Sequence, residues 1–432
     1  MPRIVIIGGG LAGLAAAAAL GGSGNDVELY ESRPFLGGRA ASYPVSTGEH
    51  IDNCQHILLR CCVNLLDFYR RLGVEESIRF HRDFFFIEPG GRTSILKAGV
   101  LPAPLHFSGS FAGLSFLGLA DKFAVASGLL AIRRERKTRK DLDKITMLEW
   151  LREKRQTPRA IERFWRQVLV SAVNEELDRM AASHGFQVFW LGFLAGSRTY
   201  EMGIPAVPLG ELYRDQAWSR LPGVRLVERC TVDKILFEGE SVRGVLAGGQ
   251  TRTADLYISA LPFERMANLA PALGVEYAAF THSPITGIHL WFDRPVTDLP
   301  HATLLDRTVQ WFFNKEGGRY LMLVVSASRS LTAMPRQEVL ALATRELAEF
   351  LPLVKQAKVV KAHVVKEIRA TYSACPGLEA KRPGNRTRYR NFFLAGDWTR
   401  TGWPATMEGA VRSGYLAAEA ATGQSFVLPD IA

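Results

Sequence analysis

Residues 4–31 constrain this chain more than any other stretch. Ile4-Val5-Ile6-Ile7 reads as an apolar strand, Gly8-Gly9-Gly10-Leu11-Ala12-Gly13 as a glycine turn, and the alanine-rich run to Leu20 as a helix. Val27-Glu28-Leu29-Tyr30 is a second strand, ending in Glu31. Each glycine has its own task in such a unit. Gly8 permits the tight turn, Gly10 lets a pyrophosphate approach the backbone, and Gly13 lets helix and strand pack closely. The helix start then faces the phosphates with free N–H groups and the positive end of its dipole. Glu31, about 20 residues on, is placed to accept both hydroxyls of an adenosine ribose. A dinucleotide site is expected, and NAD and FAD enzymes share this turn.

Two further segments choose between them. Gly37-Gly38-Arg39 resembles the GGR signature of the amine oxidase and phytoene desaturase flavoproteins, in which the arginine contacts the FAD diphosphate region. Near the other end, the apolar Phe392-Phe393-Leu394 runs into Ala395-Gly396-Asp397, and a loop leads to Thr406-Met407-Glu408-Gly409-Ala410 at the start of a small-residue helix. By the same resemblance, Asp397 holds the ribityl chain. The helix start aims N–H groups at the flavin O2 side and stabilises negative charge there. Matching segments at opposite ends imply FAD. The cofactor contacts carried over are Gly8, Gly10, Leu11, Ala12, Gly13, Glu31, Ser32, Gly38, Arg39, Gln55, His56, Val232, Gly396, Asp397, Met407, Glu408 and Ala410.

The remaining composition is permissive. A chain of 432 residues, 47% hydrophobic, buries a large core and suggests two domains. The formal charge of +10 fits nucleic acid, an anionic membrane or simple solubility. No nucleic-acid module is visible, which favours the membrane. The five cysteines (Cys54, Cys61, Cys62, Cys230, Cys375) form no CxxC and are odd in number. That fits a reduced cytoplasmic setting without a disulfide framework or metal site. The N-terminus enters a strand directly, so no signal peptide is expected.

The expected fold is α/β. A Rossmann-like FAD domain of the GR2 flavoprotein type is assembled from residues 1–83, 208–265 and 385–432. A mixed α+β substrate domain fills 84–207 and 266–384. A helix is predicted over 63–72, stopped by Gly73. Strands are predicted at 84–87 and 93–96, joined through Pro89-Gly90-Gly91. Residues 141–194 read as helical, with Trp150, Phe164 and Trp165 at core spacing. Strands follow between 224 and 260, at 286–292 and at 319–326, with a helix over 336–351.

Residues 100–132 stand out. Leu101-Pro102-Ala103-Pro104-Leu105-His106 leads into an apolar run, Asp121-Lys122 interrupts it, and Arg133-Arg134-Glu135-Arg136-Lys137-Thr138-Arg139-Lys140 ends it. A spanning helix needs about 20 apolar residues with few charges, so the interruption argues against spanning. Two readings stay open: a helix in the membrane interface with basic residues on anionic lipid, or a buried helix with a solvated charged end. The expected location is cytoplasmic and peripherally membrane-associated.

Over nearly its whole length the chain resembles the squalene-associated FAD-dependent desaturases, or hydroxysqualene dehydroxylases. The narrower matches are Ile51-Asp52-Asn53-Cys54-Gln55-His56 and Leu101-Pro102-Ala103-Pro104-Leu105-His106. Phe164-Trp165 through Asn174-Glu175 and Gly402-Trp403-Pro404-Ala405-Thr406-Met407-Glu408-Gly409-Ala410 extend the match. The group usually has Gly at position 54 and often Leu-Asn-Thr near 174. The resemblance implies that reduced FAD removes the allylic hydroxyl of hydroxysqualene, giving squalene for hopanoid or sterol synthesis, with a lipophilic triterpene as substrate.

Hydroxide is a poor leaving group, so an acid must protonate it. An apolar cavity would keep water from the allylic cation that develops. His56 is the first candidate acid, or else it touches the cofactor or supports a residue that does. Asp52 and Glu175 are the others. Trp398 and Trp403 are candidate cavity walls. Rival readings are carotenoid desaturation, amine oxidation, and a non-catalytic flavin-binding escort of a membrane lipid enzyme. No cysteine near 398–409 offers covalent flavin attachment.

Overall fold

The computed structural model describes residues 2–45 and 50–431. The outermost residues of the expected FAD segments, 1 and 432, lie outside them.

The glycine-turn unit builds the centre of a five-stranded parallel sheet. Its order is Val224–Val227, Asp26–Tyr30, Arg3–Ile7, Leu256–Ser259 and Phe392–Leu394. All five strands come from the three segments expected to form the FAD domain. Ile4 to Ile7 are buried on both faces, which is why that strand reads as a continuous apolar run. The helix Leu11–Gly21 is buried on every side. Alanine suits it because the last helix, Met407–Thr422, crosses close by. A Cβ on Gly414 would lie 2.1 Å from the Ala12 carbonyl oxygen.

The second sheet has seven strands, in the order Val359–Tyr372, His282–Phe292, Tyr320–Val325, Trp311–Asn314, His301–Leu304, Phe84–Ile87 and Thr93–Leu96. Its two faces follow the period-2 rule. Leu321, Leu323 and Val325 pack with Val339, Ala343 and Leu347 of the helix Arg336–Phe350. Met322 and Val324 face an aromatic core shared with Trp150, Trp165 and Phe189. The region 141–194 is helical as expected, in pieces at 147–153, 158–173 and 182–194.

The helix Val63–Leu72 closes on Gly73 at φ +71. The strand Val359–Tyr372 was not expected. It is a sheet edge, and its Lys361, Lys366, Glu367 and Arg369 break up the apolar pattern, as edge strands commonly do. A small sheet joins Met202–Pro205 to Leu58–Leu59 and Ile78–His81, and so ties the first substrate segment to the first FAD segment.

Asp121 takes a different part from the one its position suggests. It sits in the first turn of the helix Leu119–Glu135, where its Oδ2 accepts the Gly118 N–H at 2.8 Å and its Oδ1 accepts the Thr157 hydroxyl at 2.5 Å. The charge in the apolar run is therefore a buried helix cap. Among the described residues, no helix is long and apolar enough to cross a membrane.

Candidate active site

The nucleotide end is built by glycines. Gly8 adopts φ +103, and a Cβ on Gly13 would sit 2.0 Å from the Gly8 carbonyl oxygen. A Cβ on Gly10 meets nothing within 4 Å, so the backbone there opens onto a crevice. No side chain caps the helix that starts at Leu11, which leaves its first N–H groups for a ligand. Gly38 backs onto this turn, with its Cβ position 3.0 Å from the Gly10 Cα. Glu31 is buried. Its Oε2 accepts the Gly9 N–H at 2.7 Å, and its Oε1 accepts the Arg33 N–H at 2.8 Å and the Ser32 hydroxyl at 3.1 Å. The Cys230 N–H donates to the Glu31 carbonyl at 2.9 Å, bringing the buried Val232 segment to the same end.

At the opposite end of the crevice, Gly396 turns the chain at φ +129 and Asp397 follows. Arg39 Nη2 lies 2.7 Å from Asp397 Oδ2, and its Nη1 donates to the Ala370 carbonyl at 2.8 Å. Burial opposes the charge on Arg39, but the Asp397 carboxylate outweighs it and leaves the guanidinium pKa raised. Arg382, wholly buried, gathers the Asp397 and Trp403 carbonyls at 2.9 and 2.8 Å, the Thr401 hydroxyl at 3.0 Å and the Thr399 carbonyl. It shapes the loop that carries Asp397. In the sequence it is one arginine within a basic stretch, with nothing to single it out. Thr406 caps the last helix through the Gly409 N–H at 3.1 Å. Gln55 Nε2 donates to the His56 carbonyl at 3.2 Å, while its Oε1 is buried without a protein donor, as an acceptor for a cofactor N–H requires. These groups fit a flavin dinucleotide from end to end.

Beside the last helix lies an apolar cavity. Leu59, Phe84, Phe86, Leu96, Phe193 and Trp311 form its wall, and Trp403, Met407 and Glu408 close it at the start of the last helix. Among the described residues, Glu408 is the only carboxylate on that wall. Its Oε1 accepts the Asn64 side-chain amide at 2.8 Å, and its Oε2 accepts the Leu65 N–H at 2.7 Å. Burial pushes its pKa up to about 7 despite these donors.

Comparison with known proteins agrees with this architecture. The model of the flavin containing amine oxidoreductases matches residues 11–422. The chain belongs to that family. It is similar to a probable zeta-carotene desaturase of Synechococcus elongatus, 26% identical over 97% of this chain and 98% of the relative. It is also similar to a 15-cis-phytoene desaturase of an Oncidium hybrid, 28% identical over 97% and 77% respectively. Among solved structures, an oxidoreductase from Methanosarcina mazei shares the fold with a TM-score of 0.74 at 20% identity, covering 95% of this chain and 98% of that one. A putrescine oxidase does so with a TM-score of 0.68 at 15% identity, covering 98% and 99%. The protein is an FAD-dependent oxidoreductase, with a Rossmann-like FAD domain and a second, mixed domain.

Within this flavoprotein the three candidate acids take separate places. His56 Nδ1 lies 2.8 Å from the Cys54 carbonyl oxygen, which can only accept, so Nδ1 carries the proton. A neutral ring protonated there presents a lone pair at Nε2. Burial lowers its pKa and makes the imidazolium harder to form. His56 thus offers an acceptor rather than the proton donor that was expected. Asp52 Oδ1 accepts the Ser42 hydroxyl at 2.7 Å and the Leu209 N–H at 2.9 Å, fastening one hairpin to a neighbouring turn. Glu175 is held by both terminal nitrogens of Arg329 at 2.7 Å. Neither carboxylate is among the residues that line the cavity. Trp398 is also off the wall: its indole N–H donates to the Leu261 carbonyl at 3.0 Å within the core.

Proposed function

We propose that this flavoprotein is a reductive dehydroxylase that converts hydroxysqualene to squalene. The observation that carries this reading is Glu408, the one carboxylate among the described residues of a mostly apolar cavity wall, at the start of the last helix, where the resemblance puts the flavin. Burial that raises a carboxyl's pKa to about 7 lets it hold a proton that an ordinary carboxyl would release, as a general acid requires. The cavity accepts a hydrocarbon chain and excludes water. Glu408 gives its proton to the allylic hydroxyl, the C–O bond breaks, and water leaves. Bound FAD, in its reduced form, supplies the hydride that forms the new C–H bond. Atoms and electrons balance: alcohol, proton and hydride give hydrocarbon and water. The 51–56, 101–106 and 402–410 segments support the same substrate.

Desaturation of a carotenoid-type polyene is the second reading, and His56 favours it. After hydride loss, a desaturase must remove a proton, and the Nε2 lone pair is an acceptor. The carotene desaturase relatives point the same way.

The test is anaerobic. Photoreduced holoenzyme is mixed with hydroxysqualene, and the products and flavin spectrum are followed. Squalene formation with flavin reoxidation is expected, and Glu408→Gln should slow the single turnover by about 10²–10⁴ with FAD still bound. No squalene, together with desaturation of a carotenoid by the oxidised enzyme, overturns the dehydroxylase reading. Wild-type rates in Glu408→Gln overturn the acid assignment alone.

A further inference from the structure

Large apolar side chains are not exposed at random on this protein. Among the described residues, seven of the eleven that are exposed fall within positions 95–130. Val100 is fully exposed, and Leu119 and Phe123 are 76% and 77% exposed. On the helix Leu119–Glu135, the residues at 121, 125, 128 and 132 are buried. Leu119, Phe123 and Leu130 occupy the opposite stripe at helical spacing, and Arg133, Arg134 and Lys137 continue it beyond the apolar part. Those three cations make no side-chain ion pair among the described residues, unlike Arg139, which is paired with Asp141 and Glu153. The loop before the helix adds exposed Val100, Leu101 and Leu105.

This face adjoins the cavity. On the strand Thr93–Leu96, Leu96 lines the cavity while Ile95 faces out. Phe107, two residues after exposed Leu105, packs on Phe193 of the cavity wall with ring centroids 6.0 Å apart.

We infer that the face bearing Val100, Leu101, Leu105, Leu119, Phe123 and Leu130 docks on an anionic bilayer and opens the cavity to substrate dissolved in it. Charge complementarity commits the face to lipid: an apolar stripe ending in exposed, unpaired Arg and Lys matches an acyl layer beneath anionic headgroups. The helix lies in the surface rather than crossing it, since no helix of the described residues is long and apolar enough to span. A solitary exposed leucine needs no such explanation, but a contiguous apolar face rimmed by cations does. The delivery part rests on the reading that the substrate is a lipophilic alcohol.

The test uses FAD-loaded full-length protein and flotation with phosphatidylcholine vesicles, with and without phosphatidylglycerol. Binding is expected to need the anionic lipid and to weaken with salt. Arg133→Gln/Arg134→Gln/Lys137→Gln should weaken it about a hundredfold, and Leu119→Ser/Phe123→Ser/Leu130→Ser should weaken it at least tenfold, with the flavin spectrum unchanged in both. Both variants should convert detergent-dispersed hydroxysqualene like the wild type but lose conversion of the vesicle-embedded alcohol. Absence of wild-type binding to anionic vesicles overturns the inference. So does binding that neither variant weakens, or concentration-dependent self-association abolished by the serine variant, which would make a second copy the occupant. Intact vesicle binding without conversion in either medium leaves the docking in place and removes the substrate reading instead.

Discussion

Arg39 Nη2 sits 2.7 Å from Asp397 Oδ2, so one ion pair joins the first and the last flavin motifs of the chain. The pair closes the crevice at the point where the resemblance places the diphosphate and ribityl chain. Asp397 is buried in that crevice, so it depends on Arg39 for its countercharge.

Arg39→Ala should therefore loosen FAD. A charge-assisted hydrogen bond contributes about 1.5–3 kcal/mol, which predicts a dissociation constant raised more than tenfold, read from flavin fluorescence on dilution. Asp397→Asn should act in the same direction. The double variant should fall well short of the sum of the two, because the residues share one interaction. Strict additivity would mean that they serve FAD independently.

Glu408 links stability to pH. Its folded-state pKa is raised from 4.5 to about 7, so the folded protein holds this proton more tightly than the unfolded chain. The contribution is fully present below about pH 4.5 and is lost as pH rises to about 7, by roughly 3 kcal/mol in all. Denaturant titrations at pH 5 and pH 8 should show wild type losing that much more stability than Glu408→Gln. Parallel curves for the two proteins would show that Glu408 titrates normally.

Gly414 has a packing role that its motif does not reveal. A Cβ there would meet the Ala12 carbonyl oxygen at 2.1 Å, so Gly414→Ala must push the two central helices apart. Overpacking of this kind costs about 1–3 kcal/mol or more. A lower melting temperature and weaker FAD retention are expected together, because Ala12 belongs to the glycine-turn helix. An unchanged melting temperature would show that the helices yield without cost.

The Glu175–Arg329 pair should behave as structure rather than chemistry. Glu175 is fully buried, and Arg329 holds both its oxygens. Arg329→Ala leaves the buried carboxylate only Arg179, 3.5 Å away, as a countercharge, with the Ser373 hydroxyl as a donor, and should cost up to about 3–5 kcal/mol. Adding Glu175→Gln should restore part of the loss. A single-turnover rate that falls in Arg329→Ala while its stability holds would return Glu175 to the reaction.

Local patterns fixed much of this protein before any packing is considered. The order strand, glycine turn, helix and acid over residues 4–31 admits few structures, because the conformation of Gly8 and the close contact at Gly13 leave no room for side chains. The helix Val63–Leu72 and the strands Phe84–Ile87 and Thr93–Leu96 were legible for the same reason: periodicity and a terminating glycine act within a few residues. Other features depend on surroundings that only the folded chain supplies. Asp121 looks like an interruption of an apolar run until Gly118 and Thr157 surround it. His56 looks like an acid until burial disfavours its protonated ring. Glu408 reads as one residue of a flavin motif, and only the fold buries it at the head of the helix Val63–Leu72 and on a cavity wall. Arg382 has no local signature, because the carbonyls it gathers come together only when the 397–403 loop closes. Sequence spacing encodes backbone conformation, whereas burial and proton affinity depend on which distant groups exclude water, and tertiary structure alone decides that.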